Sequence, residues 1–172
     1  LPIPACLPPT AASTSGVGAN SATLNWVSAG TLFNIEYAEA GTPQGDGTVV
    51  SGLTGSSYLL GTLTPQTNYR FYVQTDCGAG SLSPWAGPFL FRTGCEAFEE
   101  DFEENFTTET NMAAPECWST LKVTADQYAN VIVYNYNDYV QMYNSNDAAA
   151  QLYLITPALT SLPLGTHRVK FS

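Results

Sequence analysis

The chain has 172 residues, 44% hydrophobic and 12% aromatic, which is enough to pack a core and excludes wholesale disorder. Only 12% are charged, the net charge is −10, and lysine is confined to Lys122 and Lys170. So few cations cannot cluster into a phosphate-binding surface, which speaks against nucleic acid and anionic membranes as partners, and no apolar run of about 18 residues offers a membrane span.

The first residues, LPIPACLPP, have neither the basic start nor the apolar centre of a signal peptide, so the chain is expected to be a mature or excised piece. Up to residue 94 the pattern is one of short strands between turns. "SATLNW" (21–26) puts Ala22, Leu24 and Trp26 on one face, and "LFNIEY" (32–37) groups Phe33, Ile35 and Tyr37 against Asn34 and Glu36. "YRFYVQT" (69–75) turns Tyr69, Phe71, Val73 and Thr75 inward and leaves Arg70, Tyr72 and Gln74 outside; "FLFRT" (89–93) closes the set. The stretches between them, "SGVGAN", "GTPQGDGT", "GLTGSS" and "GAGSLSPWAGP", read as turns. Strands at this spacing predict an antiparallel sandwich. Trp85, between Pro84 and Pro88, is read as packing against these prolines rather than as a binding residue.

After Thr93 the composition shifts. Residues 1–94 carry two cations against four acids, residues 95–172 three against eleven, so most of the negative charge lies in the second part. "AFEEDFE", "CWSTLKV", "NVIVYN", "YVQMYNS", "AQLYLIT" and "HRVKFS" read as strands, "ENFTTETNMAAPE" and "NSNDAAA" as connections. No repeat recurs, so the two parts are different folds. The chain ends inside an alternating segment, and the natural protein is expected to continue past Ser172.

Cys6, Cys77, Cys95 and Cys117 form no CxxC pair and His167 is the only histidine, which speaks against zinc. An even cysteine number in such a chain suggests two disulfides and an oxidising compartment, with three connectivities open.

The segment "LTPQTNY" (63–69) has the L-x-P-x-T-x-Y form that precedes strand F of fibronectin type III domains; with Trp26 on strand B and "FNIEY" on strand C, residues 1–94 resemble such a domain, in particular those of secreted bacterial surface proteins. The resemblance implies a tyrosine corner at Tyr69. It also implies that Cys6 pairs with Cys77, and with that Cys95 with Cys117. Residues 95–172, through Cys95, Phe98, Glu100, Phe102, Glu103, Cys117, Trp118 and "LYLITPAL" (152–159), resemble the start of a MAM or cleaved-adhesin jelly roll, incomplete at this length. The expected architecture is therefore all-β: a fibronectin type III sandwich followed by part of a second, jelly-roll sandwich.

"CEAFEEDFEE" (95–104) packs six acids into ten residues. Three readings stay open for it. One is a solvated strand edge. The second, implied by the jelly-roll resemblance, is a structural calcium held by Glu100, Asp101 and Glu103, calcium taking about six to eight oxygen ligands. The third is a hydrolytic carboxylate pair, since alternate strand residues stand about 7 Å apart, but no cleft or raised pKa is legible to support it. No G-x-S-x-G elbow occurs, and no catalytic residue is assigned. Asn105 opens an Asn-Phe-Thr sequon, which matters only on a eukaryotic secretory route.

"YNYNDY" (134–139) offers Tyr134, Tyr136, Asn137 and Tyr139 as a carbohydrate-contact surface, against the plainer reading of a Tyr-rich strand and turn. These readings predict a non-enzymatic adhesion or binding piece of a secreted or surface protein, directed to glycans or surface proteins. The alternatives are a filament subunit that self-associates through its open C-terminal strand, and accessory domains of a secreted hydrolase.

Overall fold

The computed structural model describes residues 6–98, 104–106, 113–134 and 139–160, with the main chain alone at 133–134. Among the described residues there are eleven strands and no helix, hence none long and apolar enough to cross a membrane. The chain divides into two compact units between Glu96 and Ala97.

The first unit is an antiparallel sandwich. Strands β1 (Ala11–Ser15), β2 (Ala22–Val27) and β5 (Ser57–Leu60) make one sheet in the order β1-β2-β5. Strands β3 (Leu32–Glu39), β4 (Thr48–Thr54), β6 (Asn68–Asp76) and β7 (Ala86–Arg92) make the other, in the order β4-β3-β6-β7. The alternating apolar residues of β2, β3 and β6 meet between the sheets: Leu24, Phe33, Ile35, Phe71 and Val73 are sealed from solvent. Burying each large side chain of this kind contributes about 1.5–3 kcal/mol. Trp26 meets Phe33 edge-on at 5.4 Å between ring centres, and Phe71 packs against Phe89 and Phe91.

At the corner before β6 the Tyr69 hydroxyl accepts the Thr64 backbone N–H at 3.0 Å, as the resemblance carried by "LTPQTNY" implies. Cys6 and Cys77 are joined by a disulfide, with Cα atoms 5.9 Å apart, tying the chain ahead of β1 to the end of β6. Cys95 and Cys117 are disulfide-bonded as well, and no cysteine is a free thiol.

Two readings of the first unit need correction. "GLTGSS" (52–57) is not simply a turn, because Gly52–Thr54 belong to β4 and Ser57 opens β5. Both strands are held by main-chain pairing at largely exposed positions, so they carry little of the alternation by which a strand is recognised. Nor are Tyr72 and Gln74 outside in the sense of solvated: both are buried, as are Asn34 and Glu36 across from them. Polar bonds close over this face. Gln74 donates to the Ser83 carbonyl at 2.7 Å and accepts from Asn34 at 3.3 Å, while the Ser83 hydroxyl accepts the Thr75 N–H. The Glu36 carboxylate accepts the N–H groups of Gly45 and Gly47 at 2.6 and 3.3 Å. A Cβ at Gly47 would come within 2.9 Å of that carboxylate, so glycine lets the loop approach.

In the second unit β9 (Asn130–Tyr134) and β10 (Tyr139–Tyr143) form a hairpin, and β8 (Ser119–Val123) pairs antiparallel with β11 (Gln151–Ile155). Phe98 bridges to Leu159 in parallel sense, its N–H donating to the Ala158 carbonyl and its carbonyl accepting the Thr160 N–H. The predicted acidic strand beyond Phe98, the final "HRVKFS" and His167 lie outside the described residues.

Candidate binding surface

The β9–β10 hairpin forms from β-branched and aromatic residues, "NVIVY" against "YVQMY", which suit a pleated ladder. Alternation along β10 places Tyr139, Gln141 and Tyr143 on one face, with Val140 and Met142 on the other. Tyr139 stands opposite Tyr134, Gln141 opposite Ile132 and Tyr143 opposite Asn130. Tyr139 is 43% and Tyr143 47% exposed, and Gln141 and Asn130 are exposed too. Two phenol rings flanking an amide supply apolar faces beside donors and acceptors, the combination that meets a polar ligand carrying hydroxyl groups.

The loops joining these strands are held by two aspartates. Asp126, in the β8–β9 loop, accepts the Tyr128 N–H on Oδ1 at 2.9 Å. Its Oδ2 takes the Ser145 N–H and hydroxyl and the Asn146 N–H from the β10–β11 loop, at 2.7, 3.0 and 3.1 Å. Asp147 reciprocates. Its Oδ1 accepts the Ala149 N–H of its own turn, and its Oδ2 takes the Thr124 hydroxyl and Ala125 N–H of the other loop. In both turns the aspartate carbonyl accepts the N–H three residues on, at Ala129 and Ala150. The Ser145 N–H chiefly, then the Tyr128 N–H, holds the Asp126 carboxyl below the usual carboxylate range; the Ala125 N–H, then the Thr124 hydroxyl, does so for Asp147. With donors from both loops on each carboxylate, the pair works as a clasp between turns.

Of the predicted site residues, the hairpin presents Tyr139 at its surface and puts the Tyr134 main chain opposite it; Tyr136 and Asn137 lie outside the described residues, as do Glu100, Asp101 and Glu103. Sequence reasoning missed Gln141 and Tyr143, which fall on the Tyr139 face by simple alternation. It also missed the clasp, whose signal is the repeated Asp-x-x-Ala, "DQYA" and "DAAA", each just ahead of a strand. No group of three or more metal-ligating side chains occurs among the described residues.

The three-plus-four sandwich, its buried Trp26 and the Tyr69 corner define the first unit as an immunoglobulin-like β-sandwich module. Residues 7–91 match the fibronectin type III domain family, and this part of the chain is a fibronectin type III domain. Domains of this kind are commonly non-catalytic binding or structural modules of extracellular proteins. Similar solved structures include the fn3 domain of human contactin 1, at 18% identity and TM-score 0.46, covering 56% of this chain and 89% of that one. The FN5 domain of Drosophila Lar is similar at 13% identity and TM-score 0.45, covering 53% and 99%. The FN1–FN3 domains of chicken CNTN1 are similar at 21% identity and TM-score 0.45, covering 53% of this chain and 31% of that one. No curated protein matches the chain.

Proposed function

We propose that this chain is a non-catalytic adhesion or binding piece of a secreted or surface-exposed protein, in which the fibronectin type III domain serves as a spacer and the tyrosine face of the β9–β10 hairpin contacts glycans. The observation that carries the reading is the exposed row Tyr139, Gln141 and Tyr143, with Asn130 beside it. The disulfides support an oxidising, extracellular setting.

The test is a binding screen of the full chain against immobilised neutral glycans, repeated with Tyr139→Ala and Tyr143→Ala. Each ring is expected to contribute about tenfold in affinity. Equal retention of the wild type and the double variant on every glycan would end the glycan reading.

A filament subunit is the second reading, favoured by the apolar strip of the β8–β11 ribbon. Leu121, Val123, Tyr153 and Ile155 lie on one face there, each more than 40% exposed. Sedimentation across a concentration series separates the two: growing polymers that Leu121→Ser abolishes favour the filament.

A further inference from the structure

The outer face of the four-stranded sheet carries a surface independent of the tyrosine row. Arg70 and Arg92 are the only basic side chains in residues 1–94. The pairing of β6 with β7 brings both to this face: Arg70 stands opposite Leu90 and Asn68 opposite Arg92, which makes the two arginines diagonal neighbours about 7–8 Å apart at the main chain. The Arg70 guanidinium lies over the Tyr72 ring, 5.6 Å from its centre, and that ring is itself buried and therefore a fixed platform. Nε and Nη2 of Arg70 are shielded from water and have no hydrogen-bond partner. Beside them Leu90 is 71% exposed, the most exposed large hydrophobic residue described.

Two features point to a ligand. Buried N–H groups of a cation are costly without an acceptor. Nε–H and Nη2–H together form the side of the guanidinium that matches the two oxygens of a carboxylate. An exposed leucine next to that fork adds apolar area for a side chain to cover.

We propose that this face docks an extended acidic segment of a partner protein. One carboxylate takes the Nε/Nη2 fork of Arg70, and an apolar side chain beside it covers Leu90. Charge complementarity selects this occupant: Arg70 and Arg92 are the only basic side chains of residues 1–94, and both stand on this face. Arg92, whose Nε donates to the Gln66 carbonyl, is already engaged and adds only its charge to this face. The Arg70 head reaches an arriving carboxylate by rotation about its terminal torsions, an ordinary fast side-chain movement.

The experiment titrates the full, disulfide-intact chain with an end-capped peptide of alternating leucine and glutamate, and in parallel with the leucine–glutamine peptide. The glutamate peptide is expected to bind, to weaken as salt rises, and to lose about tenfold or more in affinity with Arg70→Gln. Arg70→Lys, which keeps the charge but not the fork, is expected to recover only part of that loss. Lys122→Gln, in the second unit, is expected to change nothing. Should the Arg70 variants fail to fold, Leu90→Glu, at an exposed position, is expected to abolish binding on its own. Equal binding of the two peptides, or full binding by Arg70→Gln or Leu90→Glu, would overturn the proposal. Self-association of the chain that Arg70→Gln abolishes would overturn the occupant and make it a second copy.

Discussion

Glu36 shows how far a single side chain can depart from its pattern. In "LFNIEY" it sits at a polar position that alternation assigns to solvent, yet it is 3% exposed and spends its charge on the N–H groups of Gly45 and Gly47. Glu36→Ala leaves those two donors without their acceptor, and we expect a loss of about 1–3 kcal/mol in urea unfolding followed by tryptophan fluorescence. Glu36→Gln keeps an acceptor oxygen and should cost less, since the bonds lose only their charge assistance. Tyr69 and Trp26, by contrast, were legible. Their roles depend on a short local motif and on an apolar face, and the structure places Tyr69 at its corner and Trp26 in the core. The partner of Glu36 lies in a glycine loop nine to eleven residues on, and nothing in either segment alone announces the meeting.

Among the elements, β2, β3 and β6 were readable because their apolar residues alternate toward the core, whereas β1, β4 and β5 sit at sheet edges or among exposed positions and do not show that pattern. The loops of the second unit are specified by polar contacts instead. Asp126 and Asp147 are held below the ordinary carboxylate range by backbone N–H groups, so the folded state stabilises their charged forms. A depressed folded pKa gives stability that is present above the unfolded value of about 3.9 and is lost as pH falls through the folded value. Thermal unfolding of the second unit should therefore be flat in this respect above about pH 5 and weaken below about pH 4. Asp126→Asn should lower the midpoint at neutral pH, because an amide cannot accept at both oxygens, and should remove part of the acid slope. An unchanged acid slope in that variant would show that the clasp does not carry it.

For the whole molecule, the cysteines give the most direct check. All four are disulfide-bonded, and the Cys6–Cys77 bridge spans 71 residues. Alkylation of the native chain without reduction should add no mass. Reduction should cost about 2–5 kcal/mol per bridge by releasing the unfolded chain, with the larger loss for a bridge closing so long a loop. Alkylation at four sites before reduction would remove the disulfides and, with them, the argument for an oxidising compartment.

The sequence by itself determined the all-β class and the sandwich of the first part, because burial on one side of a strand writes a period of two into the chain, while the tyrosine corner came from the resemblance of "LTPQTNY" to a family motif. For the cysteines it left three pairings open, and only the family resemblance chose among them. The tertiary structure alone decided that Tyr72, Gln74 and Glu36 are covered, that two Asp-x-x-Ala turns clasp each other, and that Asn130 stands opposite Tyr143. It also brought Arg70 beside Leu90 and diagonal to Arg92 across two strands. These arrangements join residues far apart in the chain through hydrogen bonds and register, and neither leaves a periodic trace in composition. Where a position's neighbours are fixed by pairing rather than by burial, only the fold can name them.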